Sequence, residues 1–532
     1  MNLSYFPIEE ASSVANIALH RTPYAPDGQS ANIIKQKAHE LRWLEHEAEL
    51  EILAIQERVN ALRRQIEIHD ALVHPCRRLP AEILSEVFLL AVPNNWHEKL
   101  VGRRTLNFAQ VCHLWRNVAL TTPRLWTTLR FTEHINPPTK YVTALKDDMA
   151  KTAQAPLELN LDVNWYSESA SALFSSASTA KTRCDEFWAL LWGQSHRWQR
   201  VTLDGLPTSA YERLVDHAFP ALVFLSITMY GGLGSTVRLP IHVFGNAPKV
   251  HSLHITCDYP LHPFTFPPSW SLTELRMYCS EAGTLASAIE AILSCGESLR
   301  VCHLLSDKSC ASVQRPTNFP RLEELDLFGN AVALCYSFTA PNLQTLAMDT
   351  YYDLDDDLNA FVALQSMLAR SGDCPSLRKL SLESLDPGPQ GRDLIACLRR
   401  LQSLEELSLH NRDMTDDLEP SLISLDLLRA MVRHTGVLSS LTFLPNLARL
   451  SINFGSSYNN DADPKDPEVR SALFAIRRSR RRVISVDGKR LPLLQHFDNN
   501  GGDDLKGCCL PEMMIPRSVV WTVKWLYDAY QL

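Results

Sequence analysis

The chain has 532 residues and a formal net charge of −8 at pH 7, with 45% hydrophobic and 21% charged residues. This length is too great for one compact core, so the chain needs several domains or a repeat architecture. The composition excludes wholesale disorder and a collagen-like class. The acidic balance gives no general attraction to nucleic acid or to anionic membranes, because both reward a basic surface. We therefore expect protein partners.

No apolar run reaches the roughly 18–20 residues of a membrane-spanning helix, and residues 1–10 lack the features of a signal peptide. These features predict a protein of the cytoplasm, the nucleus or both. The 13 cysteines contain no CxxC pair, which favours reduced thiols over disulfides. A metal site from Cys302, His303 and Cys310 is the weaker alternative, because zinc ligands usually come in closer pairs.

The composition and periodicity of the sequence change near residue 30. Residues 1–30 hold prolines and small polar residues without periodicity, which predicts a poorly ordered tail. Residues 31–74 show apolar side chains every three or four positions, which predicts one long amphipathic helix. The mean spacing lies between the 3.5 residues of a coiled coil and the 3.6 of a straight helix. Two interpretations stay open: a homodimeric coiled coil, or a single helix packed against the following domain.

Residues 76–131 predict a compact helical module. Leu79-Pro80 leads a helix with its apolar residues on one side, a second helix comes after Gly102, and Pro123 then interrupts helical structure. Helices this short cannot bury both faces within so small a module, so part of the apolar stripe is expected to meet a partner.

The residues of this module resemble an F-box, in the form common in mushroom-type fungi. The resemblance rests on Leu79-Pro80-x-Glu82-Ile83-Leu84-x-x-Val87-Phe88, Val111-Cys112-x-x-Trp115-Arg116-x-Val118-Ala119 and Thr122-Pro123-x-Leu125-Trp126. In that family the module docks on the Skp adaptor of a cullin-type ubiquitin ligase. The resemblance therefore implies adaptor contacts from Leu79, Pro80, Ile83, Leu84, Val87, Val111, Cys112 and Trp115. Phe88 and Leu114 are instead assigned to the module's own core.

Residues 132–456 carry a recurring pattern of the form L-x-x-L-x-L. A helix over 139–150, a strand over 157–163 and a helix over 184–195 lead into it. The anchors are Trp198/Val201/Leu203, Leu222/Leu225/Ile227, Val250/Leu253/Ile255, Leu272/Leu275/Met277, Leu299/Cys302/Leu304, Leu322/Leu325/Leu327, Leu343/Leu346/Met348, Leu377/Leu380/Leu382, Leu404/Leu407/Leu409 and Leu447/Leu450/Ile452. Most intervals between first anchors fall in the range of leucine-rich repeats, and two longer ones predict inserted helices at 358–370 and 425–433.

The pattern predicts an α/β fold. Apolar and polar residues alternate within each strand, which fits a solenoid with one solvated face better than a doubly wound sheet buried on both faces. We therefore predict the helical N-terminal segment and a three-helix F-box-like module, followed by an irregular leucine-rich-repeat solenoid with a strand and a helix in each repeat. The repeat is degenerate, because the Asn expected after the last anchor is clear only at Asn330.

The sequence predicts no catalytic residue, cofactor or metal site, since GxSxG, HExxH and phosphate-loop motifs are absent. The acidic run at 353–357 is interpreted as a solvated loop or a helix N-terminus. Residues 457–532 form a C-terminal extension with a basic run at 477–482 and an end helix over 519–532 that could cap the solenoid. The basic run is interpreted as a solvated helix end, a nuclear import signal or, least favoured, a phosphate-contacting patch.

Strand alternation also predicts a binding surface. If Leu253 and Ile255 face the core, the side chain between them faces outward on the expected concave side. The same parity in successive repeats exposes His254, Arg276, Tyr278, His303, Asp326 and Phe328 as the candidate target-binding residues.

Two functions emerge as hypotheses. The first is a non-catalytic substrate-recognition subunit of a Skp-cullin-F-box ubiquitin ligase, in which 76–131 holds the adaptor and the repeats hold a protein target for degradation. The alternative is a repeat scaffold that self-associates through residues 31–74 and does not dock the adaptor.

Overall fold

The computed structural model describes residues 6–92, 96, 107–132, 139–162, 179–206, 208–229, 239–257, 262–279, 284–307, 316–350, 359–385, 392–411, 422–434, 437–454, 466–486 and 489–499. The chain divides into two compact units, residues 1–90 and residues 91–532. Within the described ranges, no helix has both the length and the apolar character needed to cross a bilayer.

The first unit is built from helices. They are α1 (Phe6–Val14), α2 (Ile17–His20), α3 (Gly28–Val73) and α4 (Ala81–Ala91), with a 3-10 turn at Pro75–Arg78. The long helix predicted over 31–74 is present as α3. Asp27 begins it by accepting a hydrogen bond from Ser30 N at 2.8 Å. His74 ends it in an extended conformation, as expected for a residue before proline.

Helices α1 and α2 lie where the sequence predicts a poorly ordered tail. Helix α1 is supported by α3: Ala11 of α1 is buried, and Lys37 Nζ of α3 lies 3.2 Å from Glu10 Oε2. Asn16 caps α2 through Leu19 N. Contacts between residues so far apart in the chain leave no periodic trace in the tail itself, which is why local pattern does not reveal these helices.

The second unit is organised by a 13-stranded parallel sheet in the order β1-β2-β3-β4-β5-β6-β7-β9-β11-β12-β13-β14-β17. Its strands are β1 (Thr128–Thr132), β2 (Leu157–Asp162), β3 (Trp198–Asp204), β4 (Phe224–Met229), β5 (Ser252–Cys257), β6 (Glu274–Cys279), β7 (Val301–Ser306), β9 (Glu324–Gly329), β11 (Thr345–Asp349), β12 (Lys379–Glu383), β13 (Glu406–His410), β14 (Arg449–Asn453) and β17 (His496–Asn499). Two small ladders pair β8 (Thr317–Asn318) with β10 (Phe338–Thr339) and β15 (Ser485–Val486) with β16 (Lys489–Arg490).

The helices of this unit are α5 (His113–Thr121), α6 (Thr139–Lys151), α7 (Thr179–Trp192), α8 (Thr208–Glu212), α9 (Thr284–Ser294), α10 (Ala360–Arg370), α11 (Arg392–Arg400), α12 (Leu425–Met431), α13 (Leu438–Leu441) and α14 (Pro467–Arg480). Shorter 3-10 turns span Asn107–Gln110, Pro123–Leu125, Ser195–Arg197, Pro240–Phe244 and Asn330–Tyr336. The two inserted helices predicted from the long repeat intervals are present as α10 and α12.

The predicted repeat anchors form the core of this sheet. Every anchor residue is at most 2% exposed, and equivalent anchors lie in register, as Cys302 does between Leu275 and Leu325. Outward-facing neighbours on the same strands are half-buried, which is the alternation expected of a sheet with one solvated face. The α/β repeat architecture predicted from the sequence is therefore confirmed.

The sheet begins earlier and ends later than the predicted solenoid. Strand β1 lies inside the range assigned to the F-box-like module, and β17 lies in the predicted C-terminal extension. β17 is added through main-chain pairing with β14, including a bond from Gln495 N to Ala448 O at 2.8 Å. β17 lacks the third apolar anchor of the repeat, because Asn499 stands in that place. β1 does carry the repeat spacing, in Trp126, Leu129 and Phe131, but these residues fall in the range assigned to the F-box-like module.

Polar side chains form hydrogen bonds between several neighbouring repeats. Asn330 Nδ2 donates to Asp307 O at 3.0 Å, which is the backbone bond expected of the single family-type Asn. A second series lies just before the first anchor of a repeat, where Ser298 bonds Leu272 O at 2.7 Å and Asn342 bonds Pro320 O at 2.8 Å. These bonds connect side chains to the backbone of the preceding repeat, as the Asn of regular leucine-rich repeats does, but from other positions.

The basic run at 477–482 is partly structural. Arg480, at the end of α14, is fully buried and donates to Met431 O, Leu444 O and Phe443 O at 2.8, 2.9 and 3.0 Å. Burial lowers the pKa of Arg480 to about 9, and the neighbouring Arg433 contributes in the same direction. The end helix predicted over 519–532 lies outside the described residues.

A Leu304→Ala substitution tests the core assignment. Leu304 is fully buried on β7, whereas its neighbour Leu305 faces outward and is half-buried. We expect Leu304→Ala to lower the free energy of unfolding by about 2–5 kcal/mol through lost burial and a cavity. Leu305→Ala is the matched control and should cost below about 1 kcal/mol. Urea denaturation followed by circular dichroism measures both, and equal losses would contradict the assigned faces.

Arg480→Met tests the anchoring role of the buried guanidinium. Methionine fills a similar volume but leaves three carbonyl oxygens without their donor, so we expect a loss of about 3 kcal/mol in the free energy of unfolding. Arg478, exposed on the same helix, gives the control Arg478→Met, with an expected change within about 0.5 kcal/mol. A silent Arg480→Met in the same denaturation assay would show that the run is only a solvated helix end.

Candidate functional site

Outward-facing side chains of the sheet form rows, because residues in register on neighbouring strands lie side by side. His254, Arg276, His303 and Asp326 occupy consecutive places in one row, on β5, β6, β7 and β9. Tyr278 and Phe328 lie in the next row, with Leu305 between them. The structure thus brings together all six residues that strand parity predicts for this face, but Asp326, which was expected to be exposed, is buried.

A third row adds two carboxylates that the sequence reasoning missed. Glu274 and Glu324 lie two positions before Arg276 and Asp326 on the same strands. Glu274 accepts hydrogen bonds from Ser252 Oγ at 2.7 Å and from Arg276 Nε at 2.9 Å, and its Oε1 lies 3.5 Å from His254 Nε2. The interactions with His254 above all, then with Ser252 and Arg276, hold the pKa of Glu274 well below its usual range. The sequence held the signal for both glutamates, because side chains two residues apart on a strand point to the same face.

His303 bridges two carboxylates of β9. Its Nδ1 lies 2.8 Å from Asp326 Oδ2, and its Nε2 lies 3.3 Å from Glu324 Oε1. Burial alone would lower the pKa of His303, but the interactions with Asp326 and then Glu324 outweigh it and raise the pKa to about 9. His303 is therefore a cation at neutral pH, and in return it lowers the pKa of Glu324.

Aromatic contacts extend this surface toward β3. Arg200 lies over the ring of Phe224 at 4.2 Å from its centroid, and Phe224 meets His254 edge-on at 4.7 Å. Both Arg200 and Phe224 face outward on β3 and β4 in the row of Glu274. We call the set Arg200, Phe224, His254, Glu274, Arg276, Tyr278, His303, Glu324, Asp326 and Phe328 the sheet patch. It combines aromatic area with charges of both signs, which suits recognition of a protein surface.

Three groups of the sheet patch could ligate a metal ion. One atom from each of His303, Glu324 and Asp326 lies within 4.8 Å of the others. Imidazole and carboxylate donors suit zinc and similar divalent cations, but such an ion would have to displace the proton that the two carboxylates stabilise on His303. The alternative trio of Cys302, His303 and Cys310 is not assembled as a site: Cys302 is fully buried on the opposite face from His303, and Cys310 lies outside the described residues.

The candidate adaptor residues of the first unit fall on two sides of α4. Ile83 and Val87 are 50% and 42% exposed, Pro80 is exposed and Leu79 is half-buried. Phe88 is buried, as a core place requires. Leu84 is also fully buried, so it is part of the protein's own packing and not of the surface that α4 offers. The reason is helical geometry, which puts Leu84 on the side of Phe88, four residues later.

The candidate adaptor residues of the second unit lie at the start of α5. Val111 is exposed, Trp115 is half-buried, and Cys112 caps the helix with its Sγ 3.5 Å from Trp115 N. Leu114, assigned to the module's core from sequence, is 43% exposed. Its side chain points about 100° away from that of Trp115 around the helix.

Apolar residues from α5 and the 3-10 turn after it form the buried side of residues 111–126. Val118, Ala119 and Leu125 are buried, and Trp126 Nε1 donates to Ala119 O at 2.9 Å. All of these positions belong to the second and third motif runs, so here the motif residues supply local packing.

The comparisons with known proteins add no relative to this picture. No family model matches the chain, and no curated protein matches it either. The class of protein is therefore defined by the structure itself. It is a parallel strand-and-helix repeat protein, consistent with a solenoid of the leucine-rich-repeat kind.

The raised pKa of His303 predicts a pH dependence of stability. The folded-state pKa of about 9 lies above the unfolded value of about 6.5, so protonation of His303 stabilises the fold fully below pH 6.5. That contribution is lost as the pH rises through 9. We expect wild type to lose about 1–3 kcal/mol more than His303→Gln in the free energy of unfolding between pH 6 and pH 10.

Denaturation midpoints across this pH range measure the difference, because other titrating groups are common to both proteins. His196→Gln is the control, since His196 is exposed. Parallel pH profiles for wild type and His303→Gln would show that the imidazole does not hold its proton between the two carboxylates.

Proposed function

We propose that the protein is the substrate-recognition subunit of a Skp-cullin-F-box type ubiquitin ligase. The observation that carries the proposal is the F-box-like motif together with the exposed apolar side of α4. Pro80, Ile83 and Val87 lie at the positions where the family docks its adaptor, and all three are accessible. Apolar side chains left exposed on one side of a short helix suit a helix-in-groove contact.

The repeat sheet is the proposed receptor for the target protein. Repeat proteins use the solvated side of their stacked strands as an extended binding surface. The sheet patch gathers residue types enriched in binding hot spots, with Arg276 partly exposed and Tyr278 and Phe328 beside it. This arrangement supports a protein target as the ligand of the patch, and neither nucleic acid nor a membrane is part of the proposal.

The proposed mechanism is proximity. A receptor that holds the adaptor through one segment and the target through another raises the target's effective concentration at the ligase. The subunit would then be non-catalytic, and its specificity would come from the repeats alone. Such a subunit would work in the cytoplasm, the nucleus or both.

A scaffold that self-associates through α3 without docking an adaptor is the second candidate. It is favoured by the exposed apolar residues of that helix. Adaptor binding separates the two candidates, because only the receptor requires it.

Calorimetric titration of the full chain with a purified Skp-type adaptor tests the proposal. We expect Pro80→Asp with Ile83→Asp to weaken binding at least about 30-fold, because two central apolar contacts are replaced by unpaired charges. Ile8→Asp with Ile17→Asp is the matched control: these side chains are 58% and 70% exposed in the same unit, but they lie on α1 and α2, away from α4. Failure of the unmodified chain to bind would overturn the receptor assignment.

A further inference from the structure

Helix α3 carries a stripe with strict seven-residue spacing. The stripe consists of Leu41, Glu45, Ala48, Ile52, Ile55, Val59, Leu62, Ile66, His69 and Val73, at alternating steps of four and three residues. We call these residues the seam. Such spacing, sustained along a helix, is the pattern of a coiled coil, with Glu45, Ile52, Val59, Ile66 and Val73 at the a positions and the others at the d positions.

The apolar part of the seam faces solvent. Ile52, Ile55, Val59, Leu62, Ile66 and Val73 expose between 39% and 72% of their surface. From Glu45 to Val73, every residue of α3 whose burial is described is exposed. An exposed apolar stripe this long marks an interaction surface, and most helices owe their stability to packing of such a stripe.

We propose that α3 forms an antiparallel coiled coil with α3 of a second copy of this chain, symmetric about Glu57. In this register Ile52 faces Leu62 of the second copy, and Ile55 faces its Val59. Ala48 meets Ile66 of the second copy, and Leu41 meets its Val73. The inference goes beyond the proposed ligase function and does not depend on it.

The two polar residues of the seam favour this register. Glu45 faces His69 of the second copy, and the symmetry of the dimer makes this pair twice. A carboxylate and an imidazole can satisfy each other in a seam where either alone would be destabilising. A parallel, in-register dimer would instead place Glu45 against Glu45 and His69 against His69.

The flanking charges favour the same orientation. In the antiparallel register Arg42 faces Asp70 of the second copy and Glu49 faces its Arg63, each pair twice, while Leu44 meets Leu72. One unfavourable contact remains, between the two copies of Arg58. In the parallel register Arg58 would face Arg63 twice, with no opposite-charge pair to offset it. Complementary flanking charges of this kind set partner choice and orientation in coiled coils.

The position of α1 is compatible with the seam. The ion pair between Lys37 and Glu10 places α1 against the N-terminal part of α3. The proposed dimer begins at Leu41, which is already half-buried, and ends at Val73, where the helix itself ends. A second copy therefore covers chiefly the exposed stretch from Glu45 to Val73.

Sedimentation equilibrium on the full chain tests the seam. We expect a dimer, and Ile55→Glu with Leu62→Glu should raise its dissociation constant at least about 100-fold, since four charges enter the apolar seam. Leu50→Glu with Leu53→Glu is the matched control: these leucines are 54% and 55% exposed, against 57% for both Ile55 and Leu62, but lie off the seam. Circular dichroism confirms that each variant is folded.

Charge exchange tests the orientation. Glu49→Arg and Arg63→Glu should each raise the dissociation constant about threefold or more, and the double variant should restore it, because the two residues face each other only in the antiparallel register. In a parallel dimer Arg63→Glu alone would tighten association by pairing with Arg58.

Three results would overturn the inference. The first is that the chain sediments as a monomer at a concentration of about 100 μM, near the weak end of specific association. The second is a dimer whose dissociation constant does not change in the seam variants. The third is a lower dissociation constant in the Arg63→Glu single variant. The seam variants should keep their affinity for a Skp-type adaptor, so a failure here and a failure of the ligase proposal give different results.

Discussion

The main-chain ladder of the parallel sheet is the constraint on which the rest of the second unit depends. Each strand is bonded to its neighbours in register, so that Leu253, Leu275, Cys302 and Leu325 form one buried row. Because side chains alternate between faces, a slip of one residue would turn every anchor to solvent and every outward residue into the core. Burial of the anchors thus holds the register, and the register determines which residues meet on the open face.

The chemistry of the sheet patch depends on that register. His303 comes from β7, both of its carboxylate partners come from β9, and the imidazole would not be near either carboxylate without the ladder. Asp326 is buried, and an unpaired carboxylate there would be strongly destabilising. The protonated imidazole offsets that cost, so this charged cluster is both a part of the packing and a part of the outward face of the sheet.

The first unit presents a different situation, in which apolar residues remain exposed. Helix α4 separates Leu84 and Phe88, which are buried, from Ile83 and Val87, which are not. Helix α3 exposes a whole stripe. These are the two surfaces for which we propose association: α4 with an adaptor and α3 with a second copy. Two receptors joined through α3 would present two adaptor sites and two sheet patches, which strengthens binding whenever the target is itself multivalent.

The sequence by itself determined the elements whose pattern is local. The length of α3 and the ten strands from β3 to β14 that bear repeat anchors arise from periodicities of 3.6 and 2, which are carried by neighbouring residues. Parity within each strand was also enough to choose the six predicted residues of the sheet patch. Their assembly into rows needed only the assumption that successive repeats stack in register.

Only the tertiary structure decided the features that depend on distant partners. Helix α1 packs on α3, β17 pairs with β14, and Arg480 reaches three carbonyl groups from an earlier part of the chain. None of these leaves a local signal. The same holds for Leu84 and Leu114, whose burial was opposite to the motif-based expectation, because a motif names residue types while burial depends on which side of a helix meets a neighbour.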